Sequence, residues 1–452
     1  MSVNKKDIEH IFERLREGMV PERGLETFAV GTEKVMGEIN RVLDLVASGE
    51  GSAKFLRGDY GCGKTFYSQL TMLRALDKDF AVSKVVVSPN DTPFYKFDQV
   101  YARIVANMLT SMTKGGAFGD CIDRWIARIE DRLIDENYDE DDPSFDNYVR
   151  ERFEHELSDI ATESAGADFI AVLRHYFDLK QNGNIPEAQQ LLAWLGGSKN
   201  ISATVKRGAG IKGEISSNCA MTYLKGVLQI VKKAGHPGLV VVVDEMETIM
   251  RMRRDVRDKS LNGLRQILDA TPEFKGLLWV FTGTTDFYDS RKGVASLAPL
   301  HDRIKFQQIG GFVNIKQPQV ELRAFDKERL VSVAKQLREL FNSDNNQRVK
   351  EKVSEKFITL LADKVTEGFM GDVGVVPRHF LREFVNILET SDQHQDFDPA
   401  IHYEFNIDDE SILSPQERSA IHSEADTETF GDDRGGASPD NKNNSTINTL
   451  EF

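Results

Sequence analysis

Residues Gly58 to Thr65 read GDYGCGKT, with three glycines ahead of a lysine and a threonine. So little side chain at this point constrains the fold more than any other feature of the chain. Upstream, Lys54-Phe55-Leu56-Arg57 is a short strand candidate; downstream, Phe66, Leu70, Leu73 and Leu76 recur at helical spacing. Strand, glycine loop and helix in that order, with Gly58-x4-Gly63-Lys64-Thr65, fit a phosphate loop. Glycines let backbone amides close around phosphate oxygens, and the helix start adds positive potential. Gly58, Asp59, Tyr60, Gly61, Cys62, Gly63, Lys64, Thr65 and Phe66 are therefore expected to surround a nucleotide. Lys64 would reach the β- and γ-phosphates, and the Thr65 hydroxyl would hold Mg²⁺. The bland alternative is a glycine turn with an incidental lysine.

A phosphate loop needs a second strand that ends in carboxylates, and Leu239-Val240-Val241-Val242-Val243-Asp244-Glu245 supplies one. Five apolar residues predict a strand buried on both faces, with the acids emerging at its C-terminal end, where open α/β sheets bind ligands. Asp244 suits the metal's coordination shell; Glu245 suits polarising a water for attack on the γ-phosphorus. Leu277–Gly283 reads as a third strand, ending in Thr282, Gly283, Thr284 and Thr285. Thr284 is the first candidate for a γ-phosphate sensor, ahead of Thr282 and Thr285, against the plain alternative of a helix cap. Arg303, in Leu297–Ile304, could stabilise transition-state charge at a neighbouring subunit's nucleotide or could be a surface ion pair. Arg254, Arg257 and Arg291 compete for that finger role. Arg378 follows Pro377 at a helix start, from which it could reach back over the nucleotide.

The rest of the chain groups around these motifs. Residues 1–30 predict a helix carrying Ile8, Ile11, Phe12 and Leu15, then an irregular link; residues 32–47 predict another helix. Val85-Val86-Val87, before Ser88-Pro89, is a strand candidate. About 180 residues separate Thr65 from Asp244, far more than a minimal core needs. Periodicity predicts helices at 101–112, 121–133, 148–162, 169–177, 186–195 and 220–233. The expected layout is an N-terminal helix and link at 1–30, an ATPase core at 31–95 and 235–320, and a helical insertion at 96–234. A helical lid at 321–390 and an acidic, mostly disordered tail at 391–452 complete it. Helices are expected at 326–342, 350–366 and 377–390.

The net charge of −15 is concentrated in that tail: Ser391 to Phe452 holds 15 acidic and 3 basic residues. The body is near neutral and has no general basic footprint for nucleic acid. No apolar run approaches the ~20 residues that span a bilayer, and the N-terminus has no apolar signal core. Three scattered cysteines, Cys62, Cys121 and Cys219, make neither a disulfide frame nor a metal site and suit a reducing cytoplasm.

Taken together, the glycine loop, the Asp-Glu strand, the polar third strand, the arginine and the Pro377-Arg378 lid resemble AAA+ ATPases of the origin-recognition/Cdc6 type. A longer pattern is more specific. Glu22-Arg23-Gly24, Phe28-Ala29-Val30-Gly31, Phe55 through Thr65, Ala188-x5-Trp194-Leu195 and Gly235-x2-Gly238-Leu239 leading into Asp244-Glu245-Met246-Glu247 resemble the BREX phage-defence ATP-binding proteins of the BrxD type. The similarity covers about residues 15–390. It implies an α/β P-loop NTPase of AAA+ type: a three-layer core with a parallel sheet, a large helical insertion and a C-terminal helical lid. It also implies ATP with Mg²⁺, cytoplasmic location, and work beside other defence proteins such as a helicase. DNA and an ATP-dependent homo-oligomer are further partner candidates. Three functions are compatible with these residues: an ATPase switch or motor subunit, a nucleotide-gated binding module with little turnover, and a small-molecule phosphotransferase. The Asp244-Glu245 pair and the distant lid count against the third.

Overall fold

Valine-rich runs with no alternation cannot sit at a wetted sheet face, and this chain places them at the centre. The computed structural model describes residues 4–163, 166–211, 213–368 and 376–403. Among these, the strands are β1 (Ser52–Arg57), β2 (Ala81–Val86), β3 (Leu239–Asp244), β4 (Leu277–Gly283), β5 (Gln308–Ile309), β6 (Phe312–Val313) and β7 (Gln319–Glu321). Five form one parallel sheet in the order β2-β3-β4-β1-β7, while β5 and β6 form a separate antiparallel hairpin. Every residue of β3 and β4 is buried. The register sets Val86 opposite Asp244, Val243 opposite Phe281, and Arg57 opposite both Gly283 and Glu321. The C-terminal ends of β1, β3 and β4 therefore lie side by side. A parallel sheet in this order, with the glycine loop leaving its β1, is an α/β arrangement of P-loop type.

Strands β3 and β4 fall where the sequence predicts them. Strand β2 begins four residues earlier than the Val85–Val87 reading. Ser83 and Lys84 break the apolar run, yet both are accommodated: Ser83 Oγ donates to the Ile104 carbonyl at 2.8 Å, and Lys84 pairs with Asp244. The expected helix at 101–112 instead spans Phe97–Ala106, because the chain turns and Leu109 forms a bridge with Val82. The other five insertion helices extend the expected ranges, to Phe118–Asp135, Phe145–Glu163, Ala167–Gln181, Ile185–Leu195 and Ser217–Lys233; Ala203–Gly208 is an additional short helix. These helices share one hydrophobic core with the sheet. Phe55, Val85, Val241 and Phe281 belong to the same buried cluster as Trp125, Phe153 and Trp194. Inside it, the Trp125 indole N–H donates to Glu156 at 2.7 Å.

The region expected as the lid holds the helices Lys327–Leu340, Asn346–Lys352, Glu355–Gly368 and Val376–Gln393. Asp326 caps the first by accepting from the Arg329 amide at 2.8 Å. The predicted helix at 350–366 is two helices broken near Ser354, whose hydroxyl accepts from the Phe357 amide at 3.3 Å. The last helix runs to Gln393 and is followed by Pro399–His402, so ordered structure continues past the expected tail boundary. The expected disorder beyond about 410 lies outside the described residues. The N-terminal helix Lys5–Arg16 packs on Val376–Gln393, where Arg16 pairs with Glu389, and its Phe12 meets Phe341, just after Lys327–Leu340, edge to face at 5.3 Å. The lid is thus tied to the front of the chain.

Candidate nucleotide site

The loop leaves β1 at Gly58, whose amide extends the ladder by donating to the Gly283 carbonyl at 3.2 Å. Gly61 and Gly63 take positive φ, 75° and 83°, which costs a side-chain-bearing residue dearly and a glycine little. The helix Lys64–Asp77 starts directly after Gly63. Lys64 Nζ bends back over the loop and donates to the carbonyls of Gly58, at 2.7 Å, and Asp59, at 3.1 Å. It lies 5.1 Å from the centre of the Tyr60 ring and 4.0 Å from Glu247. Asp59 accepts from the Thr285 amide at 3.3 Å and from its hydroxyl. Cys62 is buried, which raises its thiol pKa, and its amide donates to the Asp59 carbonyl at 3.4 Å. Thr65 is exposed at the helix start. Phe66 packs edge to face between Phe28, at 5.8 Å, and Tyr67, at 6.1 Å.

Asp244 closes β3 and is almost completely buried. One carboxylate oxygen lies 2.7 Å from Lys84 Nζ; the other accepts from the Thr282 hydroxyl and from the Glu245 amide at 3.1 Å. Burial pushes this carboxyl up, but Lys84, Thr282 and the amide outweigh it and hold Asp244 below the ordinary aspartate range. Glu245 follows in the left-handed region, φ 62°, with its side chain exposed. Partial burial, with the neighbouring Asp244 charge, holds it above the usual glutamate value. Glu247 is buried and likewise raised by burial, opposed by Lys64; its Oε2 has no hydrogen-bond partner. The loop lysine, with an ionised aspartate beside a water-accessible glutamate at the adjoining strand end, forms a set that fits a metal-bound triphosphate.

The remaining expected residues lie in different settings. Thr284 is buried, and its hydroxyl accepts from the Phe287 amide at 3.2 Å, capping Thr285–Asp289. Thr282 is the member of this group that touches Asp244. Arg303 sits on Ala298–Ile304, half exposed, and pairs with Asp269 of the helix Arg254–Ala270. Arg378 is exposed, with its methylenes along Gly18: a Cβ there would stand 3.4 Å from its Cγ.

Sequence reasoning passed over Lys84 and Arg329, and named Glu247 within a motif without giving it a role. Arg329 lies beside Gly31, where a Cβ would stand 3.4 Å from its Nε, and Tyr67 donates to the same Gly31 carbonyl at 3.4 Å. A lysine inside a mostly apolar strand was the signal for Lys84. The family described as BREX system ATP-binding protein BrxC/D matches residues 3–407. The chain belongs to this family. It is therefore an ATP-binding component of the multi-protein BREX system, with partners in that system. Among solved structures, an ORC2 protein from Aeropyrum pernix, determined as ADPNP-ADP complexes, is similar at 12% identity with a TM-score of 0.36. That similarity covers 79% of this chain and 68% of the other. A comparison with curated proteins gives no match. Among the described residues no helix is long and apolar enough to cross a membrane, and no group of acidic, histidine and cysteine side chains could hold a metal ion by itself.

Proposed function

We propose that this BREX-family chain hydrolyses ATP and couples the reaction to a conformational change in its defence complex. The observation that carries this reading is the convergence at one sheet edge of the Lys64 loop and a Glu245 kept apart from the clamped Asp244. Lys64 exchanges its bonds to Gly58 and Asp59 for the β- and γ-phosphates and offsets charge that develops there. Glu245, outside the Lys84–Thr282 clamp, orients a water and takes its proton. Thr65 and Asp244 would hold Mg²⁺, Asp244 through water because both its oxygens are already engaged. When bound, the metal supplies charge neutralisation between the phosphates. Thr284 contributes by fixing the turn that presents Thr285 to Asp59. Arg378, at the start of the lid's last helix, links lid position to the nucleotide. Arg303 supplies the trans charge when a second copy assembles, and a helicase of the same system is the partner class proposed for the assembled form. Work in the cytoplasm is part of this proposal.

A nucleotide gate with little turnover is the second reading. The Arg303–Asp269 pair favours it, because the finger candidate is held within its own chain. Steady-state phosphate release by Glu245→Gln decides between them. Loss of turnover with ATP-analogue binding retained supports the ATPase; an already negligible wild-type rate, with and without DNA, supports the gate.

A further inference from the structure

A two-stranded finger stands off the molecule next to the phosphate-loop strand. Gly310 and Gly311 have φ of 58° and 83°, as a two-residue type I′ turn requires. The turn pairs Ile309 with Phe312 across the hairpin, and each side chain is 82% exposed. Ile309 and Phe312 are, with Met112, the most exposed large apolar residues among those described, and their pairing at one tip makes it a candidate contact.

Its surroundings narrow the partner. From Arg291 to Lys316 the chain holds five lysines and arginines against one acidic residue, Asp302, although the whole protein is at −15. Arg291, Lys292, Lys305 and Lys316 are exposed. The finger's own stretch from Lys305 to Lys316 contains no carboxylate. An apolar tip on a cationic stem suits a partner that combines stacked flat rings with regularly spaced anions.

The root is stiff. The Gln307 amide donates to Gln317 Oε1 at 2.9 Å, and Gln317 Nε2 returns a bond to the Gln307 carbonyl at 3.3 Å. Lys54, on β1, donates to the carbonyls of Lys316 at 3.0 Å and Gln317 at 2.9 Å. Arg57, the residue before Gly58, stacks over Phe306 at 4.5 Å and donates to Gln319 at 3.0 Å. The hairpin is therefore bolted to the strand that carries the phosphate loop.

We propose that the Gln308–Val313 hairpin is a DNA contact, in which Ile309 and Phe312 stack on or wedge between bases while Lys305 and Lys316 hold phosphates. Apolar side chains inserted at base steps, beside lysines on the backbone, are a general way to grip DNA without reading its sequence. The full chain is titrated against fluorescein-labelled duplex and single-stranded oligonucleotides by anisotropy across a salt series. Wild type is expected to bind at least one form. Ile309→Ser/Phe312→Ser should weaken that binding by about tenfold or more. Lys305→Gln/Lys316→Gln should weaken it and, on duplex, reduce the salt slope by roughly 0.9 per lost contact. Thermal melts and ATP-analogue titration of the same variants should match wild type, which separates the hairpin from the nucleotide site. No DNA binding by wild type, or unchanged affinity in both variants, overturns the proposal. So does a fall in oligomer size by light scattering in the Ile309/Phe312 variant with DNA affinity intact, which would assign the tip to a contact between copies.

Discussion

Lys64→Ala is the perturbation whose magnitude the structure best defines. The ammonium is bonded to the Gly58 and Asp59 carbonyls, so contacts with phosphate exchange bonds rather than add them. A charge-assisted bond contributes about 1.5–3 kcal/mol net. A second effect comes from Glu247, 4.0 Å from Nζ and buried. At an effective dielectric near 20, two unit charges at that separation interact by about 4 kcal/mol. With Lys64 gone, Glu247 faces the incoming phosphates without its cation, and it relieves part of this repulsion by taking a proton. The expected total is about 3–4 kcal/mol, or ~10²–10³-fold weaker binding. Calorimetric titration with a non-hydrolysable analogue measures it. The cycle with Glu247→Gln is the sharper check: the double variant should regain about a factor of ten over Lys64→Ala alone. Wild-type affinity in Lys64→Ala would refute the phosphate-loop assignment, and strict additivity in the cycle would refute the Lys64–Glu247 coupling.

Other outcomes are as specific. Lys54 Nζ lies 2.6 Å from Glu38, and both side chains are nearly inaccessible, so Lys54→Met should cost about 3 kcal/mol in urea denaturation by leaving Glu38 with Arg41 alone. Burial pushes the Glu38 carboxyl up, but hydrogen bonds from Arg41 and Lys54 outweigh this and hold it below the usual glutamate range. Its stabilising contribution is therefore present above the free value of about 4.3 and lost as pH falls through the folded pKa; acid melts of Glu38→Gln should lack that increment. A Cβ at Gly238 would stand 2.0 Å from the Gly276 carbonyl oxygen, so Gly238→Ala should destabilise by about 2–3 kcal/mol in the same denaturation assay.

The parts that could be read from the sequence are those where one local rule dominates. Leu239–Val243 is apolar throughout, so its strand, its central place and the emergence of Asp244 at its end all follow from burial. The loop's glycines and Lys64 were legible for the same reason. What escaped was decided by partners far along the chain. Lys84 is tolerated in β2 because Asp244, 160 residues later, receives its charge. The three threonines at the end of β4 and just after it are equivalent in sequence, and the neighbours each one meets distinguish their tasks. The Arg303–Asp269 ion pair, between two helices and 34 residues apart, likewise has no local signal. The Gly310-Gly311 turn between Ile309 and Phe312 was a readable hairpin signal, obscured by its very short strands.

The docking of Lys5–Arg16 on the lid's final helix has a mechanical corollary. The segment after it passes Gly18, beside Arg378, and Gly31, beside Arg329, on its way to the first core helix. Any swing of the lid must pull on this leash, so the displacement is delivered to the wall next to Tyr67 as well as through Arg378. Severing the Arg16–Glu389 clasp by charge reversal of Arg16 should slacken the tether. Paired spin labels on the first and last helices would then report a broadened distance distribution, and an unchanged one would show that the leash carries no load.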